Sequence, residues 1–313
     1  MMETLFQEAL IVTVLASTLR GCMPMLLAAL GETFSESSGI LNLSVEGMMV
    51  AGAFFSFFIG LETGVVPLGF AAAVLVGAVM GLIVGFFVIS LRVNQIVVGI
   101  GMTIFAQSGC SLLHRVIFGN QFPILWGAGD TLEIPILSAI PYVGQPLFNQ
   151  HWLAYVGMVL VPLFAFLLYR TRLGLHIRAV GEAPRAADAS GVPVARTRYV
   201  AIMIAGVMAS LGGAFLAVGD LAFFMPDMIQ GRGYIAIVIV MLGRWHPIRV
   251  LGYALLFGFA MSLTSALQVA GIRVSPDFIL ILPYLVVIAA LVIAARSASL
   301  PAALCVPYER GRG

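Results

Sequence analysis

The chain has 313 residues, 61% hydrophobic and only 10% charged, with a formal net charge of +2. A soluble domain carries roughly 25% charged residues to keep its surface in water, so one large soluble domain is excluded. All 16 basic residues are Arg, and without Lys there is neither a phosphate-binding loop ending in Gly-Lys-Ser/Thr nor a Schiff-base lysine.

Any use of ATP therefore needs another chain to hold it. The small net charge gives a nucleic-acid partner no electrostatic support. Cys22, Cys110 and Cys305 are far apart, with no CxxC or Cys/His spacing; they read as small apolar filler rather than a disulfide framework or zinc site. Met1-Met2-Glu3-Thr4 lacks the basic region of a secretory signal, so the first apolar run reads as a retained helix.

A helix needs about 20 apolar residues to cross the hydrocarbon core. In chain order the apolar runs are 5–19, 22–34, 47–61, 66–91, 95–118, 151–169, 197–219, 231–243, 248–270 and 277–295. The run at 22–34 follows Arg20 and contains Pro24. Short runs of this kind suit tilted, broken or re-entrant helices. The expectation is an all-α polytopic membrane protein, a single domain over 1–313, with about ten transmembrane or partly spanning helices and a range of 8–10.

Arginine orients the chain, because cytoplasmic loops retain positive charge. Arg170, Arg172, Arg178, Arg185, Arg196 and Arg198 crowd one stretch, which makes the loop at 172–195 cytoplasmic. Counting crossings outward places the Arg-free loop 119–150, with Asp130 and Glu133, outside. It places Arg92, Arg244, Arg249, Arg296, Arg310 and Arg312 inside, with both chain ends, and leaves Arg20, Arg115, Arg232 and Arg273 outside. The loop near 35–46 falls on the cytoplasmic side although it holds Glu36 and Glu46 and no Arg.

Small residues recur every four positions in Gly77-Gly81-Gly85, Gly206-Ser210-Ala214 and Ala254-Gly258-Ser262. Such stripes let helices approach closely in lipid, here within one bundle. A short apolar run, a Pro-containing loop and a long small-residue-rich helix occur at 47–91 around Pro67 and again at 231–270 around Pro247. Five segments per half would make the halves inverted repeats, as in many transport proteins.

No catalytic constellation is present, and neither HExxH nor GxSxG occurs. His114, His151, His176 and His246 fall at segment ends or in loops and read as interfacial polar residues. Glu8, Glu32, Glu46 and Asp277 also sit near segment ends. Transporters driven by protons or sodium usually keep carboxylates at mid-membrane, so an ion-coupled secondary transporter acting without an ATPase is the alternative rather than the first reading. A structural or sensory membrane protein is the third class.

Two polar, Gly-bearing segments remain. Residues 31–47, GETFSESSGILNLSVEG, join two short runs and are a candidate pore or gate element, since irregular backbone at membrane depth needs protein or water against it. Residues 178–192, RAVGEAPRAADASGV, read as a short helix. Pro184 suits its first turn, Glu182 favours the positive end of its dipole, the alanines propagate it and Gly191 ends it. A small rigid helix in the most basic loop suits docking into a groove on a partner.

These segments carry a resemblance. LLAALGETFSESSGILNLSVEGMMVAGAF at 26–54, LRVNQIVVGIGMT at 91–103, RAVGEAPRAADASGVPVARTRYVAIMIAGVMASLGGAFLAV at 178–218 and GRGYIAIVIVMLGRWHPIRVLGYALLFGFA at 231–260 resemble the membrane permease of a bacterial ATP-binding-cassette (ABC) importer. The superfamily is that of branched-chain amino acid/ribose permeases, in its nucleoside and simple-sugar branch, and the length resembles its shorter permease type. The resemblance implies an inverted-repeat, type II importer-like fold in the bacterial cytoplasmic (inner) membrane. It implies a cytoplasmic ABC ATPase that binds ATP and Mg in place of any cofactor here, a second, longer permease, and an extracytoplasmic substrate-binding protein. The chain would itself be non-catalytic. Glu182, Pro184, Arg185, Asp188 and Gly191 would carry ATPase coupling. Asn42, Glu46, Asn94, Gln95 and Gln107 are the polar candidates for lining the path.

Overall fold

Backbone polar groups in lipid must be satisfied within the chain, which leaves the apolar runs little choice but helix. A computed structural model describes residues 2–127, 131–135, 138, 140, 144–269, 276–294 and 300–309. Asp130, Arg273, Arg296, Arg310 and Arg312, with the side chains of Glu8 and Asp277, lie outside the described residues.

In order the elements are α1 (Met2–Ser37), α2 (Val45–Thr63), α3 (Val66–Gly85), α4 (Gln95–Phe118), β1 (Thr131–Glu133), α5 (Gly144–Phe148), β2 (Asn149–His151), α6 (Trp152–Arg170), α7 (Arg172–Glu182), α8 (Pro184–Ala189), α9 (Val194–Ala214), α10 (Arg232–Leu242), α11 (Pro247–Val269) and α12 (Pro276–Ala294). Helices α3 and α9 run on into π-helical turns at Phe86–Ser90 and Phe215–Asp220. Strands β1 and β2 pair antiparallel, with Thr131 opposite His151. Among the described residues seven helices are long and apolar enough to cross a membrane, and two shorter apolar helices, Arg232–Leu242 and Pro283–Val292, accompany them. The protein is an all-α polytopic membrane protein.

The expected separation of 5–19 from 22–34 is corrected. Both runs lie in α1, with Pro24 inside it. Arg20 is exposed on that helix, within electrostatic reach of Asp220. The charge therefore interrupts the apolar run without interrupting the backbone. The crossing count drops by one, and the start of α1 moves to the other side. The Ala16 carbonyl accepts from Gln150 Nε2 at 3.5 Å, beside the 119–150 loop. At the far end of α1, Gly39 and Gly181 both bond to the segment 300–309. The start of α1 thus lies opposite the 172–195 loop.

Helices α1, α2 and α9 form the centre, and α4 and α6 turn much of their surface outward, where Phe105 and Val116 are 71% and 74% exposed. The small-residue stripes account for the packing. A Cβ on Gly77 of α3 would run into the Gly206 carbonyl of α9, and one on Gly206 into that of Gly77. On α11, Gly258 lies against Thr18 and Cys22 of α1, and Ser262 Oγ donates to the Val14 carbonyl at 2.8 Å. In lipid such backbone approach supplies the dispersion contact that hydrophobicity cannot. Both repeat pairs run in opposite directions. Helix α2 leads to Gly60 beside Leu125, near the 119–150 loop. Helix α10 leads to Trp245, whose carbonyl accepts from Tyr169 Oη at 3.1 Å, near the 172–195 loop.

Candidate functional site

The 31–47 segment is helical to Ser37, and only 38–44 is irregular. It is no surface loop. Its residues are buried or half-buried, and most of its polar groups bond to protein, with Glu32 Oε2 and Glu36 Oε1 buried without a hydrogen-bond partner. Ser35 Oγ donates to the Ile40 carbonyl at 3.0 Å, Leu41 N–H to Gln95 Oε1 at 2.9 Å, and Asn42 N–H to Glu32 Oε1 at 3.0 Å. Asn42 Oδ1 then accepts Ser44 N–H at 3.2 Å, a local turn of the kind Asn favours. Thr103 of α4 bonds the Leu43 carbonyl at 3.3 Å.

The turn delivers Glu46 to the start of α2. Its carboxylate accepts Gly231 N–H on one oxygen and Gly233 N–H on the other, each at 2.7 Å. These are the first donors of α10, which a helix cannot satisfy internally. One carboxylate thus stands at the positive ends of two helices that run apart. Gly233 permits the approach, because a Cβ there would lie 2.6 Å from Glu46 N.

A cleft of about 210 Å³ opens beside this contact, lined by Glu46, Val50, Gln107, Pro226, Asp227, Ile229, Gln230 and Gly231. Gln107 Nε2 donates to Asp227 Oδ1 across it at 3.1 Å. The lining holds two carboxylates, two amides and aliphatic walls, and no basic side chain. Arg232 sits just behind, its Nη1 bonded to the carbonyls of Met228 and Ile229 at 2.7 and 3.2 Å.

Of the five polar candidates, the structure brings Glu46 and Gln107 to this cleft. Asn42 and Gln95 tie the 38–44 turn instead. Asn94 is exposed and caps α4, accepting Ile96 N–H at 2.9 Å and Val97 N–H at 3.4 Å.

The sequence reading missed two features. Glu32 and Glu36, one helical turn apart, are fully buried, so nearness to a helix end in sequence did not mean nearness to water. Glu36 Oε2 accepts Trp245 Nε1–H at 2.7 Å, linking the end of α1 to the end of α10. His114 and His151 lie at the ends of their spans as expected but are packed against protein, 3% and 2% exposed. His114 packs among Phe118, Phe122 and Phe224 with ring centroids 5.2–5.6 Å apart, two turns along α4 from Gln107. The aromatic spacing around 114–122 was the signal available.

At the opposite end, α7 runs to Glu182, Ala183 breaks it, and Pro184 starts α8. Gly191 adopts φ +85° beyond it. Glu182 and Arg185 are exposed, and Pro184 and Asp188 half-buried. Tyr169 stacks on His246 at 4.9 Å and carries the Arg178 guanidinium over its ring at 5.0 Å.

Residues 14–291 match the family described as branched-chain amino acid transport system / permease component. The guanosine ABC transporter permease protein NupQ of Bacillus subtilis (strain 168) is 35% identical over 96% of this chain and 97% of its own. The nucleoside ABC transporter permease protein NupC of Lactococcus lactis subsp. cremoris (strain MG1363) is 32% identical over the same shares. The glucose ABC transporter permease protein TsgB13 of Haloferax volcanii is 28% identical over 82% of this chain and 70% of its own greater length.

Proposed function

The chain belongs to the permease component family of branched-chain amino acid transport systems, and from that premise we propose that it forms the path for a nucleoside or simple sugar in an ATP-driven importer. It is an ABC importer permease subunit. The observation that carries the substrate site is Glu46, held by the N-termini of α2 and α10 at a cleft rich in hydrogen-bond acceptors. Carboxylates and amides without a lining cation suit a neutral solute that donates hydroxyl or N–H groups. Paired, discontinuous helices at a bundle centre are the usual setting for transporter binding sites.

Three partners complete the machine. A cytoplasmic ABC ATPase binds ATP and Mg and docks on α8, through Glu182, Pro184, Arg185, Asp188 and Gly191. The exposure of Glu182 and Arg185 supports this, as does the Arg-rich loop around them, which the positive-inside rule assigns to the cytoplasm. A second, longer permease pairs with this one; TsgB13, which exceeds this chain in length, supports a longer type within the family. An extracytoplasmic binding protein delivers the solute at the 119–150 face. The membrane is the bacterial cytoplasmic membrane.

Arg185→Glu, or deletion of 182–190, abolishes uptake and leaves membrane insertion unchanged. Normal uptake in either variant would overturn the docking role. The buried Glu32 and Glu36 favour ion coupling as a second reading. Purified chain alone in liposomes separates the two, since uptake driven by a proton or sodium gradient without an ATPase would sink the importer mechanism.

A further inference from the structure

Residues 300–309 form no helix of their own, yet they bond to three regions far apart in sequence. Ala303 N–H donates to the Gly181 carbonyl at 2.9 Å, near the end of α7 and just before α8. Cys305 N–H donates to the Gly39 carbonyl at 3.1 Å, in the turn that leads to Glu46. Gly39 holds φ +90°, and a Cβ there would lie 2.9 Å from the Ala303 carbonyl, so only glycine lets the segment lie against the turn. Arg198, 3% exposed at the start of α9, clamps both sides: Nε donates to the Ser38 carbonyl at 3.2 Å and Nη1 to the Val306 carbonyl at 3.3 Å.

Further along, Tyr308 packs on a small apolar cluster of Val180, Ala187 and Val194, one residue each from α7, α8 and α9. That cluster is separate from the main core. Glu309 pairs with Arg92 at 2.8 Å, after the π-helical turn that ends α3. A displacement of α8 therefore reaches the cluster on which Tyr308 packs, and the Cys305–Gly39 bond ties the same segment to the 38–44 turn.

We propose that residues 300–309 are the strap through which movement of α8 reaches the 38–44 turn and so the Glu46 cleft, with Tyr308 and Gly39 as its two positioning points. The proposal rests on the docking role given above to 182–191. It treats the strap as part of transport rather than of assembly. A strap with two-sided backbone bonds passes displacement only while both anchors hold. Loosening Tyr308 frees α8 from the strap and leaves the close packing of Gly181 on Ser37 and Gly39 as the remaining link to the turn, so more ATP is hydrolysed per solute imported. The Arg92–Glu309 pair is exposed and adds little.

The test uses the complete transporter, reconstituted with its ATPase, second permease and binding protein in liposomes. The quantity read is solute imported per ATP hydrolysed. Tyr308→Ser and removal of 300–313 each lower that ratio by about tenfold, a normal size for coupling between sites. Both leave the amount of co-purifying ATPase unchanged. An unchanged ratio in Tyr308→Ser overturns the proposal even if the truncated chain does not assemble. Failure of the underlying docking role shows separately, as ATPase that still co-purifies after deletion of 182–190.

Discussion

Residues 38–44 and residues 221–231 each turn the end of a long helix into the N-terminus of the next, and the two turns are built differently. The first is buried and held by side chains from three helices, Glu32 and Ser35 of α1, Gln95 and Thr103 of α4 and Arg198 of α9, with its own Asn42. The second is partly exposed; Met228 N–H bonds the Met225 carbonyl and Arg232 N–H that of Ile229, and side chains reach it from Glu46, Gln107 and Arg232. It also places two non-glycine residues, Ala222 and Gln230, at φ +59° and +52°, where a side chain meets its own carbonyl. The first turn is thus over-determined and the second strained and open. A fixed turn facing a movable one suits a path that must open on one side while keeping its binding groups in register.

The comparison breaks most severely at the contact the two turns share. Glu46→Ala strands the N–H groups of Gly231 and Gly233, at about 1–3 kcal/mol each. Uptake falls to background, and the melting temperature in detergent drops more than for any other single change in either turn. Glu46→Gln keeps one carbonyl acceptor and falls between. Wild-type melting in Glu46→Ala would show that the two N-termini do not depend on the carboxylate.

Asn42→Ala comes next. It removes the acceptor for Ser44 N–H inside the buried turn and lowers stability by about 1–3 kcal/mol, read by thermal denaturation in detergent. Gln107→Ala, facing the open turn, changes stability by less than about 0.5 kcal/mol. It raises the KM for uptake severalfold with little change in maximal rate, because its bond to Asp227 lies at the cleft surface. An equal loss of stability in these two variants would erase the difference between the turns. Gln230→Gly acts in the opposite direction on stability and leaves uptake unchanged: it relieves φ +52° and raises stability by up to about 1 kcal/mol.

Much of this was legible in the chain. The Pro184-to-Gly191 helix reads directly from capping and propensity, and α8 forms at Pro184–Ala189. The Gly77 and Gly206 stripes foretold close packing within the bundle, and they meet each other. The two apolar runs within α1 misled, because hydropathy counts Arg20 as a break whereas a helix can carry an exposed charge on one face. Glu32 and Glu36 misled for the opposite reason. Their neighbours in sequence are polar, and the Trp245 and Asn42 groups that receive them lie 209 and 10 residues away.

By itself the sequence determined the class of the protein: helices in lipid, no lysine for a phosphate-binding loop, one arginine-rich loop with a short helix in it. These follow from composition and local pattern, since transfer to lipid and helix capping act residue by residue. Only the tertiary structure decided which carboxylates are buried, that α1 is one helix with its start opposite the coupling loop, and that Glu46 joins two helix ends. Those outcomes depend on partners distant in the chain, since most buried polar groups are held by a hydrogen-bond partner.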